Sequence, residues 1–338
     1  MAAGFLLSAT PATAAYAAPA PGAATRAKAP QAKKKRPVVR QSAAQKRAAA
    51  RRSAARSRAA ARAREAAAAR ALQAAMTPQF RTDVSGNKVP DVRAEAAIVF
   101  NPTTGEVLWE ENSRAPRSIA SITKVMTAIV VMADEPDLKE WVTIDRSDVT
   151  NASVTYLRAG ERIQMLDLLH LTLIASDNGA ARALARSSEG GMIGFLGRMN
   201  EKASQLGLQS TRFADPSGLD ANNISSAYDV SHMISFAAND ATIGMVMRKS
   251  THAFYTDRRA ISIKSTNKLL GDAPITAAKT GFTNKAGFCL ATLLQMPQTN
   301  QQVAVVVLGA KSSMGRFWET RHLFNWVMDK AGTLFKDE

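Results

Sequence analysis

Ser121-Ile122-Thr123-Lys124 places a hydroxyl and an amine three residues apart. At a helix start, that spacing brings both side chains onto one face and within reach of each other, and the free N–H groups of the first turn can face an anion. A serine hydroxyl is a weak nucleophile until a neighbouring base takes its proton. A lysine can be that base only when burial or another cation lowers its pKa. Alone, the pair reads as a helix N-cap and a solvated lysine. Two further groups change the reading. Ser176-Asp177-Asn178 follows an apolar run at a helix break, where a loop can project polar groups into a cleft. Lys279-Thr280-Gly281 ends a β-like run, with Gly281 leaving the strand bare so that a substrate backbone can lie against it. Each group is common singly; the three together in the order S-x-x-K, S-x-N, K-T-G are not.

Other chemistries lack their residues. There is no G-x-S-x-G, H-E-x-x-H, G-x-x-x-x-G-K or G-x-G-x-x-G. Of the four histidines, His170 and His322 fall in apolar or amphipathic helical runs and read as packed or surface residues rather than general bases. A Ser-His-Asp hydrolase and a metalloprotease are disfavoured, and no cofactor or metal is implied. The single Cys289 lies in an apolar run and reads as a small core residue.

The triplets and their flanks, Arg117-Ser118-Ile119-Ala120 before Ser121, Ala175 and Gly179-Ala180 around the second group, and Phe282-Thr283-Asn284-Lys285-Ala286-Gly287 after the third, resemble those of low-molecular-weight penicillin-binding proteins. The chain resembles the serine D-Ala-D-Ala carboxypeptidase/endopeptidase family from about residue 91 to 331, and most of all its DD-endopeptidase branch, penicillin-binding protein 7. Asp215-Pro216-Ser217-Gly218-Leu219-Asp220 and Ala227-Tyr228-Asp229 also look familial. The resemblance implies a β-lactamase/transpeptidase-like fold and an acyl-enzyme on Ser121 with Lys124 as its base. It further implies that Ser176 relays the proton to the leaving amine, Asn178 positions Lys124 and the substrate, and Lys279 keeps the site positive. Thr280 would bind carboxylate or backbone, and the N–H groups of Ser121 and Phe282 would form the oxyanion hole. Substrates would be peptidoglycan stem peptides or cross-links, with β-lactams as covalent inhibitors. Many family members continue into a β-rich domain and a membrane anchor; the end of this chain after one helix favours the endopeptidase branch.

The elements that must position these residues read as α+β. β-rich runs at residues 95–100 and 106–110 flank an Asn/Pro/Gly turn and form a hairpin. Apolar helices are expected over 121–132, 164–174, 180–185 and 192–206, followed by a loop-rich stretch. Runs at 277–281, 287–294 and 303–308 form an antiparallel meander, and 314–331 an amphipathic helix whose Phe317, Trp318, Leu323, Phe324, Trp326 and Val327 pack on the sheet. The fold class is thus an antiparallel sheet flanked by helices plus an α-helical region. It occupies a catalytic domain at 80–338.

The net charge of +16 is concentrated in a tail. Residues 26–70 hold 16 Lys+Arg and one acid, Glu65, leaving the remainder near neutral. With almost no large apolar side chains, residues 26–75 are expected to be disordered, although the Ala/Arg run after residue 45 has the composition to become helical once its charge is neutralised. The tail reads as a tether to an anionic cell-wall polymer. Residues 1–25 carry an apolar stretch and the small-x-small patterns Ala12-Thr13-Ala14 and Ala15-Tyr16-Ala17 but no preceding Lys or Arg, which reads as a truncated export signal and a periplasmic location. The longest apolar run of the body, residues 125–133, is about half the ~20 residues a membrane helix needs. A β-lactamase would need a deacylating carboxylate, and no E-x-x-L-N follows Asn178; the one nearby acid on a flexible stretch is Glu189. A nucleic-acid binder with a histone-like arm is the alternative of another class, opposed by a body with no second basic face.

Overall fold

In the computed structural model, residues 42–271, 274–297 and 301–334 are described. The expected signal, residues 1–25, and residues 26–41 of the tail lie outside them. Contacts divide the chain into two units, at Ala61/Arg62. Helix α1, Ala43–Met76, carries eight arginines and one acid, with its described residues exposed. Disorder was expected here. Alanine and arginine are both strong helix formers, and Ser42 and Gln45 close a capping box, Gln45 N–H on Ser42 Oγ at 3.3 Å and Ser42 N–H on Gln45 Oε1 at 2.9 Å.

The second unit is organised around five antiparallel strands: β1 (Ala96–Phe100), β2 (Val107–Glu111), β3 (Ile275–Thr283), β4 (Gly287–Gln295) and β5 (Gln302–Ala310), in the order β3-β4-β5-β1-β2. The expected hairpin is β1-β2 and the expected meander is β3-β4-β5. They join through β1 and β5, where Ile98 faces Val306. Side chains alternate across the sheet. Ile98, Phe100, Val306 and Leu308 point into one apolar cluster with Met126, Leu184, Phe195, Val230 and Ile234 of the helical region. Val99, Val305 and Val307 point into the other, with Phe317, Leu323, Phe324 and Val327 of the last helix. Covering both faces buries β1 completely and β5 in all but its first residue, and each large aliphatic or aromatic side chain so buried contributes about 1.5–3 kcal/mol.

The helical region includes α2 (Lys124–Ala133), α3 (Asn178–Ser187), α4 (Gly191–Gln205) and α5 (Ala227–Asn239); α6 (Gly315–Leu334) closes the chain on the sheet. Two expected helices are more irregular than read. The first opens with a 3₁₀ turn, Ala120–Thr123, and the second is an α-helix, Met165–His170, that loosens into a π turn, Leu171–Ala175. The loop-rich expectation after residue 206 holds only to Ser226. There Ser226 Oγ accepts Asp229 N–H at 3.0 Å and starts α5. A hairpin, Thr251–Tyr255 with Ala260–Lys264, follows further on.

Candidate active site

Ser121 lies in the 3₁₀ turn ahead of α2, and its hydroxyl does not cap a helix. Ala120 before it is buried with φ of 48°, a conformation that costs an L-residue roughly 1–2 kcal/mol and is held by its surroundings. Two glycines do the holding. A Cβ on Gly218, whose φ is +82°, would lie 2.1 Å from the Ala120 carbonyl oxygen. A Cβ on Gly281 would lie 2.8 Å from the Ile119 carbonyl oxygen and 3.2 Å from Ser121 N. The absent side chain at Gly281 serves a packing need beside the expected one: the turn that carries Ser121 fills the space, so the glycine brings β3 against Ser121 while still lining the cavity.

Lys124, the first residue of α2, is fully buried. Its Nζ lies 3.0 Å from Ser121 Oγ and 2.6 Å from Asn178 Oδ1, and it also donates to the Ser217 carbonyl. The two carbonyl oxygens can only accept. An ammonium would satisfy all three partners by donating, whereas a neutral amine donates to the carbonyls and turns its lone pair to the Ser121 hydroxyl. Losing the proton therefore reverses one hydrogen bond and displaces no heavy atom. Burial pulls the Lys124 pKa down to about 7 against the opposing charges of Asp215 and Asp177, with Arg182 adding a little in the same direction as burial.

Asn178 can present its oxygen to Lys124 in one orientation, because its Nδ2 donates to the Ala152 carbonyl at 2.7 Å. Asp177, buried beside it, caps α3 by accepting Ala180 N–H at 2.8 Å and also accepts Tyr156 N–H at 2.5 Å. Burial pushes its carboxyl pKa up. Ser176 ends the π turn in the left-handed region, φ 60°. The π turn, a form frequent at functional sites, aims its hydroxyl at Lys279, whose Nζ donates to Ser176 Oγ at 2.8 Å and to the Thr280 carbonyl at 3.0 Å.

Lys279 was expected to hold Lys124 neutral by its charge. It is itself buried, and burial first, then the charges of Lys124 and Arg316, push its pKa well below the ordinary ammonium range. Burial rather than Lys279 is the principal cause at Lys124. A cavity of about 310 Å³ opens in front of these groups, lined by Ser121, Ser176, Asn178, Thr280, Gly281 and Phe282 among others. All eight residues singled out in the sequence meet here, six on the wall and Lys124 and Lys279 bonded behind it. The two expected oxyanion donors, Ser121 and Phe282, border the same space.

Several residues of the site carried no motif. The loop 215–218 had looked familial without a role. In it Asp215 accepts Gly218 N–H at 2.7 Å, and Thr127 donates to the Pro216 carbonyl at 2.6 Å, so the Ser217 carbonyl is fixed on Lys124. Thr266 Oγ1 lies 2.5 Å from Thr280 Oγ1. Arg316, from α6, donates to the Gly281 carbonyl at 2.8 Å, its Nε lacks a hydrogen-bond partner, and burial lowers its pKa to about 10. A buried guanidinium on the cavity wall, in none of the ion pairs among the described residues, offers a carboxylate a partner. No carboxylate lines the cavity among the described residues.

One group among the described residues has metal-ligand types: Asp167, His170 and His252. The two imidazoles stack 3.7 Å apart at 12°, so their in-plane lone pairs run side by side instead of converging, and Lys249 Nζ already lies 2.9 Å from His170 Nε2. The cluster does not fit an ion in this arrangement.

Fold and site together define a serine hydrolase of the β-lactamase/transpeptidase-like fold, with a buried lysine beside the serine hydroxyl. The family description D-alanyl-D-alanine carboxypeptidase matches residues 83–312. The D-alanyl-D-alanine endopeptidase of Escherichia coli is 32% identical over 244 residues, 70% of this chain and 78% of the relative. A D-alanyl-D-alanine carboxypeptidase of Bacillus subtilis is 31% identical over 251 residues, 71% of this chain and 63% of the relative. The crystal structure of the Streptomyces K15 DD-transpeptidase superposes with a TM-score of 0.66 at 27% identity, covering 70% of this chain and 97% of that one. The chain belongs to the D-alanyl-D-alanine carboxypeptidase family and is a penicillin-sensitive serine DD-peptidase.

Proposed function

We propose that the catalytic domain, residues 80–338, acts after export to the periplasm as a DD-endopeptidase on peptidoglycan cross-links, with removal of terminal D-Ala as the same reaction on a smaller leaving group. Ser121 Oγ gives its proton to Lys124 Nζ and attacks the D-Ala carbonyl carbon. The N–H groups of Ser121 and Phe282 receive the oxyanion, each such donor being worth roughly 3 kcal/mol or more. Collapse breaks the C–N bond, and the departing amine takes the proton from Lys124 through Ser176. Water then attacks the ester, passes a proton to Lys124 and frees Ser121. Arg316 and Thr280 hold the carboxylate of the leaving residue. A β-lactam follows the first half, but its leaving amine stays tethered in the cavity, where it stands in the way of water approaching the ester.

The observation that supports this reading most is Lys124 Nζ 3.0 Å from Ser121 Oγ, with its other two partners obligate acceptors. Support for the endopeptidase branch comes from similarity to proteins named D-alanyl-D-alanine endopeptidase in Escherichia coli, Pseudomonas aeruginosa and Haemophilus influenzae, at 32%, 32% and 34% identity. Purified protein is expected to convert a cross-linked muropeptide dimer to monomers faster than it trims a pentapeptide monomer, both followed by chromatography. Faster trimming of the pentapeptide would assign it to the carboxypeptidase branch, and turnover of nitrocefin with no action on either substrate would make it a β-lactamase.

No helix among the described residues is long and apolar enough to cross a membrane. The basic tail is proposed to hold the enzyme on an anionic wall polymer, supported by the exposed arginines of α1. Such attraction between exposed charges is screened once the Debye length falls to ~3 Å near 1 M salt. Deleting residues 26–70 is expected to leave Ser121 acylation unchanged and to reduce co-sedimentation with purified sacculi at low salt. Equal sedimentation of both forms would remove the tether.

A further inference from the structure

One wall of the catalytic cavity is made by the segment 150–161, which contributes Ser153 and Val154. Asn151 and Ser153 sit at φ of 54° and 61°, so this segment keeps its course only through the bonds around it. From the inside, Asn178 Nδ2 donates to the Ala152 carbonyl at 2.7 Å, Asn178 N–H to the Val154 carbonyl at 3.0 Å, and Tyr156 N–H to Asp177 Oδ2 at 2.5 Å. From the outside comes Arg259, at the tip of the hairpin formed by Thr251–Tyr255 and Ala260–Lys264. Its guanidinium donates to Glu161 through Nε at 2.6 Å and Nη2 at 3.1 Å, and Nη2 also donates to the Tyr156 carbonyl. Glu161 is 1% exposed and accepts Arg158 N–H at 3.1 Å as well. The Tyr156 residue is therefore gripped on both sides, by Arg259 at its C=O and by Asp177 at its N–H.

We propose that Arg259 is a positioning residue for the acylation step: by fixing the Tyr156 carbonyl it keeps Asp177, and with it Asn178, in place against Lys124. The hairpin tip lies outside the cavity lining and touches no reacting atom, yet its guanidinium is two hydrogen bonds from Asp177. A misplacement of about 1 Å among reacting groups can cost on the order of 100-fold in rate. Lys124 senses Asp177 directly, since the carboxylates of Asp177 and Asp215 raise its pKa while burial and Arg182 lower it. Slack at Tyr156 moves Asp177 away and removes part of what holds the proton on Lys124. This rests on Lys124 being the base for Ser121.

The test is Arg259→Lys, which leaves Glu161 a cationic partner but cannot span both the carboxylate and the Tyr156 carbonyl with one compact ammonium. Fluorescent penicillin is followed by stopped flow across pH 5–9, separating the binding constant from the acylation rate. The expected result is acylation about 10-fold slower, with binding within twofold of wild type and the acidic limb of the rate profile moved to lower pH. Glu161→Gln with Arg259→Gln, which removes both charges together and so leaves neither one buried alone, is expected to go further in the same direction and stands in should Arg259→Lys not fold. A rate within twofold of wild type overturns the proposal. So does a slower rate with the limb unmoved, which is what a merely loosened wall would give. A wild-type profile with no acidic limb would instead overturn the assignment of Lys124 as base.

Discussion

Acylation of Ser121 by a fluorescent penicillin is expected to rise with pH through a midpoint near the Lys124 pKa of about 7, and to be lost in Lys124→Arg. Burial lowers the folded-state pKa, so below that midpoint Nζ carries three protons and all its N–H groups donate, including the one on Ser121 Oγ. In that state no lone pair faces the hydroxyl. Above it, the amine turns its lone pair to Ser121 at 3.0 Å while Asn178 and Ser217 keep their bonds. A guanidinium stays protonated throughout this range and has no acceptor, so the substitution removes the proposed general base as well as crowding a fully buried position. General-base catalysis is typically worth about 10²–10⁴-fold, and a loss of that size is expected in the rate of labelling read by gel fluorescence. A flat profile between pH 5 and 8, or a Lys124→Arg variant labelled at one-tenth of the wild-type rate, would show that deprotonation of Lys124 is not what the site needs.

The second large effect is expected for Asn178→Asp. The replacement has the same shape but sets a carboxylate at the position now 2.6 Å from Lys124 Nζ. An adjacent opposite charge favours the ammonium and typically shifts a pKa by about 1–3 units. The sign is therefore opposite to that expected for Arg259→Lys: the acidic limb moves up. The variant also loses the Nδ2 donor to the Ala152 carbonyl and leaves two oxygens facing each other. At pH 7 the acylation rate is expected to fall about 10–100-fold, in line with a pKa rise of one to two units, and to recover in part by pH 9. An unchanged rate at pH 7, or a loss that higher pH does not relieve, would mean that Asn178 acts by orienting substrate and not through Lys124.

The catalytic triplets were legible because each couples a residue type to a spacing that a turn or strand makes meaningful. The strands were legible because buried runs such as residues 303–308 hold little but apolar side chains. What escaped was set by distance along the chain. Arg316 reads as one polar position on an aromatic helix, and only the packing of α6 on the sheet brings it to Gly281. Arg259 reads as part of a charged turn until the hairpin is folded over residues 156–161. Gly281 was noticed for the right reason, a missing side chain, but the Ser121 turn that also needs the space escaped. α5 did carry a sequence signal, Ser226 followed three residues later by Asp229, which reads as a helix start. The charged tail was read from composition alone. Composition offered almost no large apolar side chain to bury, while the helix that is present rests on the propensity of Ala and Arg and on the capping box at Ser42 and Gln45.

The sheet order also sets when a molecule of this enzyme becomes able to cut anything. β1, complete by residue 100, has β5 as one neighbour, and β5 is not complete until residue 310. Ser121 is held against β3 by Gly281, and β3 reaches β1 only through β4 and β5. A growing or partly threaded chain that ends before residue 302 thus holds β1-β2 and β3-β4 but lacks the strand that joins them. Closing loops of this length before their contacts form makes such topologies slow to fold. The seating of Ser121 against β3 thus waits on β5, and activity is expected only once residues 302–310 have joined the two halves of the sheet.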